Sequence, residues 1–300
     1  MNDTFLKACV GKKTDYTPVW IMRQAGRYLP EYQKIRSKVD FLTLCKTPAL
    51  AAEVTIQPVD ILGVDAAILF SDILIPLEKM GLKLKFYEKK GPKFSNPVRT
   101  QKDAKKLKII NPEEDVPYVL ETIGILRKEL KVPLIGFSGA PFTLSTYMIE
   151  GGGSKNFLAT KRIMYNDPML YATLMMKITE TTIAYLMAQI KAGAQAVQLF
   201  DSWAGALSPT DYDAVALPFV MKVIEALKPL GVPIIYFVND CAGVLDMATR
   251  AGADVIGVDW RVDMADAVKK ARGLTVQGNL DPCVLFSTTQ HIKKMAESII

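Results

Sequence analysis

Histidine is almost missing from this 300-residue chain: His291 is the single one. A histidine-based catalytic triad would have to rest on that residue near the C-terminus, and a zinc site would lack clustered ligands. Cysteine is sparse as well. Cys9, Cys45, Cys241 and Cys283 form no C-x-x-C pair, so they read as reduced thiols of a cytoplasmic protein. No apolar run reaches 18 residues, which argues against a transmembrane helix, and the stretch from Met1 to Lys7 lacks the apolar core of a signal peptide. No G-x-G-x-x-G follows the first apolar run, so the dinucleotide fingerprint is absent.

What is present describes an ordinary globular protein. Half of the residues are hydrophobic and 23% are charged, and the length suits one large domain or two modest ones. Part of the net charge of +6 is local: Lys79, Lys83, Lys85, Lys89, Lys90 and Lys93 crowd into one stretch. Within it Leu82-Lys-Leu-Lys-Phe86 alternates with period two, which predicts a β-hairpin with one apolar and one basic face. No stacking aromatics interleave on that basic face, so it suits a rim that attracts an anionic ligand better than a nucleic-acid arm.

Along the chain, helix stops and buried strands alternate. Glycine ends a helix and a strand follows at Gly63-Val-Asp-Ala, Gly193-Ala-Gln-Ala and Gly252-Ala-Asp-Val; Val132-Pro-Leu-Ile and Val232-Pro-Ile-Ile enter two more strands. Helices are expected from Thr47-Pro48 to Leu62, from Pro112 to near Leu130, and from Asp167-Pro168 to Gly193. Seven strands are predicted, starting at Val19, Ala66, Leu134, Ala196, Ile234, Val255 and Thr275. Strand, helix, strand, repeated throughout, implies a parallel sheet with right-handed crossovers. The count suggests an α/β fold of the (β/α)8 TIM-barrel type that lacks its last strand and helix, with a doubly wound open sheet as the alternative.

In a barrel, reactive groups follow the strands on the carboxyl face. Those positions hold Arg23 and Arg27, Ser71 and Asp72, Gly139, Ser202, Asp240, and Asn279 with Asp281. Arg23 and Arg27 flank Gly26, and a helical turn there would put both guanidiniums on one side. Arginine keeps its charge and presents a planar fork suited to carboxylates. Asp72 faces them as a lone carboxylate, without the second one that a glycosidase requires. Asp72 and Ser202 also fit as helix caps, and Tyr147 as a packed aromatic. Gly151-Gly-Gly153 reads as a flexible loop or a lid, because no Lys-Ser/Thr follows as in a phosphate cradle. The pattern suits a site that holds a multiply negative ligand around one fixed negative charge.

Five segments carry a resemblance: Met22-Arg-Gln-Ala-Gly-Arg-Tyr-Leu-Pro-Glu-Tyr32, Leu69-Phe-Ser-Asp-Ile73, Gly136-Phe-Ser-Gly-Ala-Pro-Phe-Thr-Leu144, Thr146-Tyr-Met-Ile-Glu-Gly-Gly-Gly-Ser154 and Phe200-Asp-Ser-Trp-Ala-Gly205. Through them the whole chain resembles the uroporphyrinogen decarboxylase family. The resemblance implies a single barrel domain over residues 1–300, a cytoplasmic homodimer, and no cofactor or metal. It implies conversion of the four acetate side chains of uroporphyrinogen III to methyls, giving coproporphyrinogen III in porphyrin and haem biosynthesis. It makes Arg23, Gln24, Ala25, Gly26 and Arg27 substrate-binding, with both arginines on carboxylates. Asp72 would bind the pyrrole N–H groups and act in catalysis, and Tyr147 and Ser202 would be further substrate contacts. The family's histidine in a Gly-His-Gly segment has no counterpart here; His291 lies in Gln290-His-Ile-Lys293, which reads as a helix. The expectation is therefore a C-terminally truncated copy of weak stability and little activity.

The chemistry agrees with that assignment. Loss of CO₂ from an acetate needs an electron sink, and a pyrrole protonated on carbon provides one. An ionised Asp72 can stabilise the resulting cation. Arginine is a poor acid, so a bound water or a substrate carboxylic acid remains open as the proton donor. The alternatives are a zinc-dependent corrinoid/thiol methyltransferase of the same barrel superfamily and a non-catalytic tetrapyrrole-binding protein. The partner in each case is a small molecule, not a nucleic acid or a membrane.

Overall fold

The helix stops come out where the glycine pattern puts them. The helix Pro48–Leu62 ends at Gly63 in the left-handed conformation, φ 66°, which lets the chain turn straight into the sheet. The 25-residue helix Pro168–Ala192 starts at a cap, with the Asp167 carboxylate accepting the Leu170 N–H and proline in the first turn. The expected helix from Pro112 is broken instead: Pro117 has no N–H to continue it, so Pro112–Asp115 and Pro117–Glu129 form separately. The structure, a computed structural model, describes residues 2–87 and 91–300.

The strands are β1 (Ala67–Ile68), β2 (Leu84–Tyr87), β3 (Gly91–Phe94), β4 (Leu134–Gly139), β5 (Ala196–Asp201), β6 (Ile234–Val238), β7 (Val255–Gly257) and β8 (Thr275–Gln277). Six of them make one sheet in the order β1-β4-β5-β6-β7-β8, and each neighbouring pair is parallel. Helices cover the strands, so the fold is α/β and of the barrel type. The barrel is not closed: no ladder joins β8 to β1 among the described residues.

The expected first strand, Val19–Met22, forms no ladder. Its backbone donors are taken by side chains: the Asp65 carboxylate accepts the Val19 N–H at 2.8 Å and the Gln24 amide oxygen accepts the Ile21 N–H at 3.1 Å. One backbone bond, Asp65 N–H to the Val19 carbonyl at 2.7 Å, still ties the segment to the entrance of β1. Trp20 reaches across the gap and donates its indole N–H to the Gln277 amide oxygen at 2.9 Å. Gln277 in turn donates to Gln198 on β5 at 3.1 Å. A polar relay therefore connects the two open sides of the sheet through its interior.

Beneath that relay, Ala66, Ile135, Ala196, Ile235 and Val255 contribute one apolar layer, which Phe5 and Cys9 of the helix Thr4–Cys9 cover. Two larger apolar clusters pack the helices onto the outside of the sheet. The hairpin β2–β3 is antiparallel, with Leu82 and Leu84 buried and Lys83 and Lys85 exposed, as the alternation predicts. Lys89 and Lys90 of the basic stretch lie outside the described residues. The glycine loop is anchored rather than free: Phe94 N–H donates to the Gly151 carbonyl at 2.9 Å, and Lys93 bridges Gly152.

Candidate active site at the carboxyl ends of the strands

The parallel registers bring several outlets to one level. Gly139 at the end of β4 stands opposite Phe200, and Asp201 at the end of β5 stands opposite Val238. Close packing holds the outlets together. A Cβ on Gly139 would lie 2.5 Å from the Leu144 side chain, so glycine lets β4 meet the helix Pro141–Glu150 without displacing Leu144. Gly205 has the same role between the β5 and β6 outlets, where a Cβ would lie 2.5 Å from the Asp240 carbonyl oxygen.

The arginine segment is a chain of turns, not a helix. Arg23 sits in the left-handed region at φ 62°, a conformation that side chains other than glycine adopt at a cost and that recurs at functional sites. Gln24 is fully buried and structural in its contacts: its amide donates to the Ala66 carbonyl at 3.2 Å, and its own carbonyl accepts the Tyr28 hydroxyl at 2.5 Å. Gly26 allows a tight return, with the Tyr28 ring 3.4 Å from where a Cβ would stand; Ala25 is half-buried beside it. Arg23 and Arg27 are both exposed.

Asp72 follows β1 and is half-buried. One carboxylate oxygen accepts the Leu74 N–H at 2.8 Å and closes the turn ahead of the helix Ile75–Lys79; the N-cap of that helix is Leu74, so Asp72 is not its cap. Burial pushes its pKa up to about 6, against the opposing pull of the Leu74 N–H and the Arg23 charge. Tyr147, on the helix Pro141–Glu150, has its hydroxyl pKa raised, chiefly by burial; a hydrogen bond with Trp203 and the charge of Arg23 oppose this, and the Asp72 charge adds to it. Arg23, Asp72 and Tyr147 thus act on one another electrostatically. The charge of Arg27 is felt at Tyr32 instead.

Ser202 is half-buried in the turn after β5, and its carbonyl accepts the Asn239 amide at 3.4 Å. Its neighbour Trp203 builds an aromatic wall, with ring centroids 6.1 Å from Tyr147 and 5.4 Å from Phe157. Behind the wall Asp201 is fully buried, with its pKa pushed up to about 6 by burial. Sequence reasoning passed over Trp203, Phe157 and Asp201. The available signal was a tyrosine, Tyr236, set in the apolar run of β6, since a buried hydroxyl needs a partner. At the β7 outlet Asp259 accepts Arg261 Nη1 at 3.0 Å, and Arg261 lies over the Trp260 ring at 4.3 Å from its centroid. Two clefts of about 600 and 620 Å³ lie away from this mouth, the first between the helices Pro48–Leu62 and Pro117–Glu129 and the second around Lys7, Gly193 and Pro233. His291 is exposed on the helix Thr289–Glu297. No helix among the described residues is long and apolar enough to cross a membrane.

A parallel sheet of the β/α-barrel type, with a carboxylate, an arginine and a tyrosine interacting at its strand outlets, has the layout of a barrel enzyme. The fold is shared with a methyltransferase from Methanosarcina mazei, at a TM-score of 0.82 and 19% identity over 99% of this chain and 88% of that one. Sequence is the more specific guide. The chain belongs to the uroporphyrinogen decarboxylase (URO-D) family, whose profile matches residues 1–300. It is 56% identical to the uroporphyrinogen decarboxylase of Desulfotalea psychrophila, covering all of this chain and 88% of that protein. It is 58% identical to that of Carboxydothermus hydrogenoformans, covering all of this chain and 87% of that protein. At 19% identity the methyltransferase likeness is one of fold alone.

Proposed function

We propose that this chain decarboxylates the four acetate side chains of uroporphyrinogen III to give coproporphyrinogen III, without a cofactor, in porphyrin and haem biosynthesis. The observation that carries the reading, in a chain of this family, is the half-buried carboxylate Asp72 within electrostatic reach of Arg23 and Tyr147. Asp72 accepts hydrogen bonds from the pyrrole N–H groups. Those donors favour its ionised form, which burial alone disfavours.

In each step a proton is added to the ring carbon beside the one that bears the acetate. The bond to CO₂ then breaks and its electron pair enters the ring, leaving an exocyclic methylene. Protonation of that methylene gives the methyl group, and loss of the first proton restores the pyrrole, so one proton is consumed per CO₂ released. The ionised Asp72 stabilises the cation that precedes C–C cleavage. The proton comes from a bound water or a substrate carboxylic acid. Arg23 and Arg27 hold substrate carboxylates. Gln24, Ala25 and Gly26 shape the turn that presents them, and Tyr147 and Ser202 contact the macrocycle. The basic hairpin face steers the polyanion toward the mouth.

Residues 1–300 act in this proposal as a single barrel domain in a cytoplasmic homodimer. The free thiols of Cys9, Cys45 and Cys241 support a reducing compartment, and the exposed apolar side chains of Ile21, Met22 and Tyr28 beside the arginines support a partner surface. Anaerobic incubation with uroporphyrinogen III, followed by oxidation and separation of the porphyrins by carboxyl number, tests the activity. The expected result is a series of partly decarboxylated intermediates with coproporphyrin as the end product, even where turnover is slow. Unchanged octacarboxylic porphyrin after prolonged incubation would overturn the proposal.

A further inference from the structure

Asp201 sits at the outlet of β5 with no exposed surface, so it cannot touch a ligand in the mouth. Every hydrogen bond around it nevertheless runs toward its carboxylate. Thr143 Oγ1 donates to Oδ1 at 2.7 Å and the Tyr236 hydroxyl donates to Oδ2 at 2.9 Å. The Tyr212 hydroxyl lies 2.9 Å from that of Tyr236 and, since Tyr236 already donates to Asp201, it donates in turn. An ionised carboxylate only accepts, so it fixes the direction of the whole chain of hydroxyls.

Thr143 is the branch point. With its proton committed to Asp201, its oxygen is left to accept the Trp203 backbone N–H, at 3.1 Å. Thr143 also lies one helical turn before Tyr147 on the helix Pro141–Glu150. One buried group therefore anchors two elements of the wall at once: the helix that carries Tyr147, and the Ser202-Trp203 turn that follows Asp201 in the chain.

We infer that Asp201, held by Tyr236 and acting through Thr143, is a positioning residue that sets the orientation of Tyr147, Ser202 and Trp203 toward the substrate. This inference rests on the proposed decarboxylase function for its kinetic part and on geometry alone for the rest. A misplacement of about 1 Å in such a wall is enough for an effect of ~10- to 100-fold.

The test compares Thr143→Val, which keeps the shape but removes both donor and acceptor, with Thr143→Ser, which retains the hydroxyl. Two readouts are taken on each folded protein: the indole N–H resonance of Trp203 in the absence of substrate, and KM and kcat for uroporphyrinogen III. Thr143→Val is expected to move the Trp203 resonance and to lower kcat/KM by ~10- to 100-fold, mostly through KM, and Thr143→Ser to restore both. A Thr143→Val protein that melts lower but keeps the wild-type resonance and the wild-type KM and kcat would overturn the inference, because the network would then serve only stability. If Thr143→Val does not fold, Tyr236→Phe removes one donor to Asp201 while keeping the ring, and the same two readouts decide. A wild-type chain without turnover would refute the functional reading, while the resonance would still decide the positioning role.

Discussion

Replacing Asp201 by Asn gives a stability effect whose size depends on pH. The carboxyl of Asp201 is raised from 3.8 to about 6 in the folded chain, with burial as the main cause. At about 1.4 kcal/mol per pH unit, ionising it in place costs about 3 kcal/mol relative to the unfolded chain. Because the folded form binds the proton more tightly, the wild type is most stable below the unfolded value. It loses stability as pH rises from about 4 to about 6, and the loss levels off above that. Asparagine does not titrate, and it retains one oxygen for Thr143 or Tyr236. The variant should therefore be clearly less stable than wild type at pH 4. That deficit should shrink by about 2–3 kcal/mol by pH 7.5. Asp72, also raised to about 6, contributes equally to both proteins and cancels in the difference. Urea unfolding of both proteins across this range measures the effect. A stability difference independent of pH would show that burial does not raise the Asp201 carboxyl above its unfolded value, and would refute the reasoning.

Other consequences can be measured alongside. Gly139→Ala places a Cβ 2.5 Å from Leu144 and should destabilise by about 1–3 kcal/mol in the same unfolding assay. Arg23→Lys keeps the charge but loses the fork; it should raise KM by ~10-fold, and by more than Arg27→Lys does, because Arg23 is the arginine whose charge reaches Asp72 and Tyr147. KM for the polyanionic substrate should rise with added salt, and a salt-independent KM would count against a basic mouth.

The sheet was largely legible because its signals are local. A left-handed glycine after a helix and a continuous apolar run after the glycine mark β1, β5 and β7, and Val-Pro marks the entries to β4 and β6. The run Val19–Met22 carried the same apolar signal yet joined no ladder. Its donors were claimed by Asp65, distant in sequence, and by Gln24, and no local pattern reveals such competition. The site divides in the same way. Asp72 and Tyr147 were visible as a polar outlet and a motif tyrosine. Gln24, also taken from a motif, instead points inward to bond the Ala66 carbonyl. The Asp201 network joins residues from two strands and two helices, so only the folded chain brings it together.

The central claim is that one ionised carboxylate, Asp72, stabilises the cation formed before CO₂ leaves. Its direct test is the rate of coproporphyrinogen formation by Asp72→Asn against wild type at saturating uroporphyrinogen III, with both proteins shown to melt alike. Loss of one such preorganised electrostatic contact corresponds to about 2.7–4 kcal/mol, so kcat should fall by roughly 100- to 1000-fold. A folded Asp72→Asn protein that turns over at the wild-type rate would contradict the account.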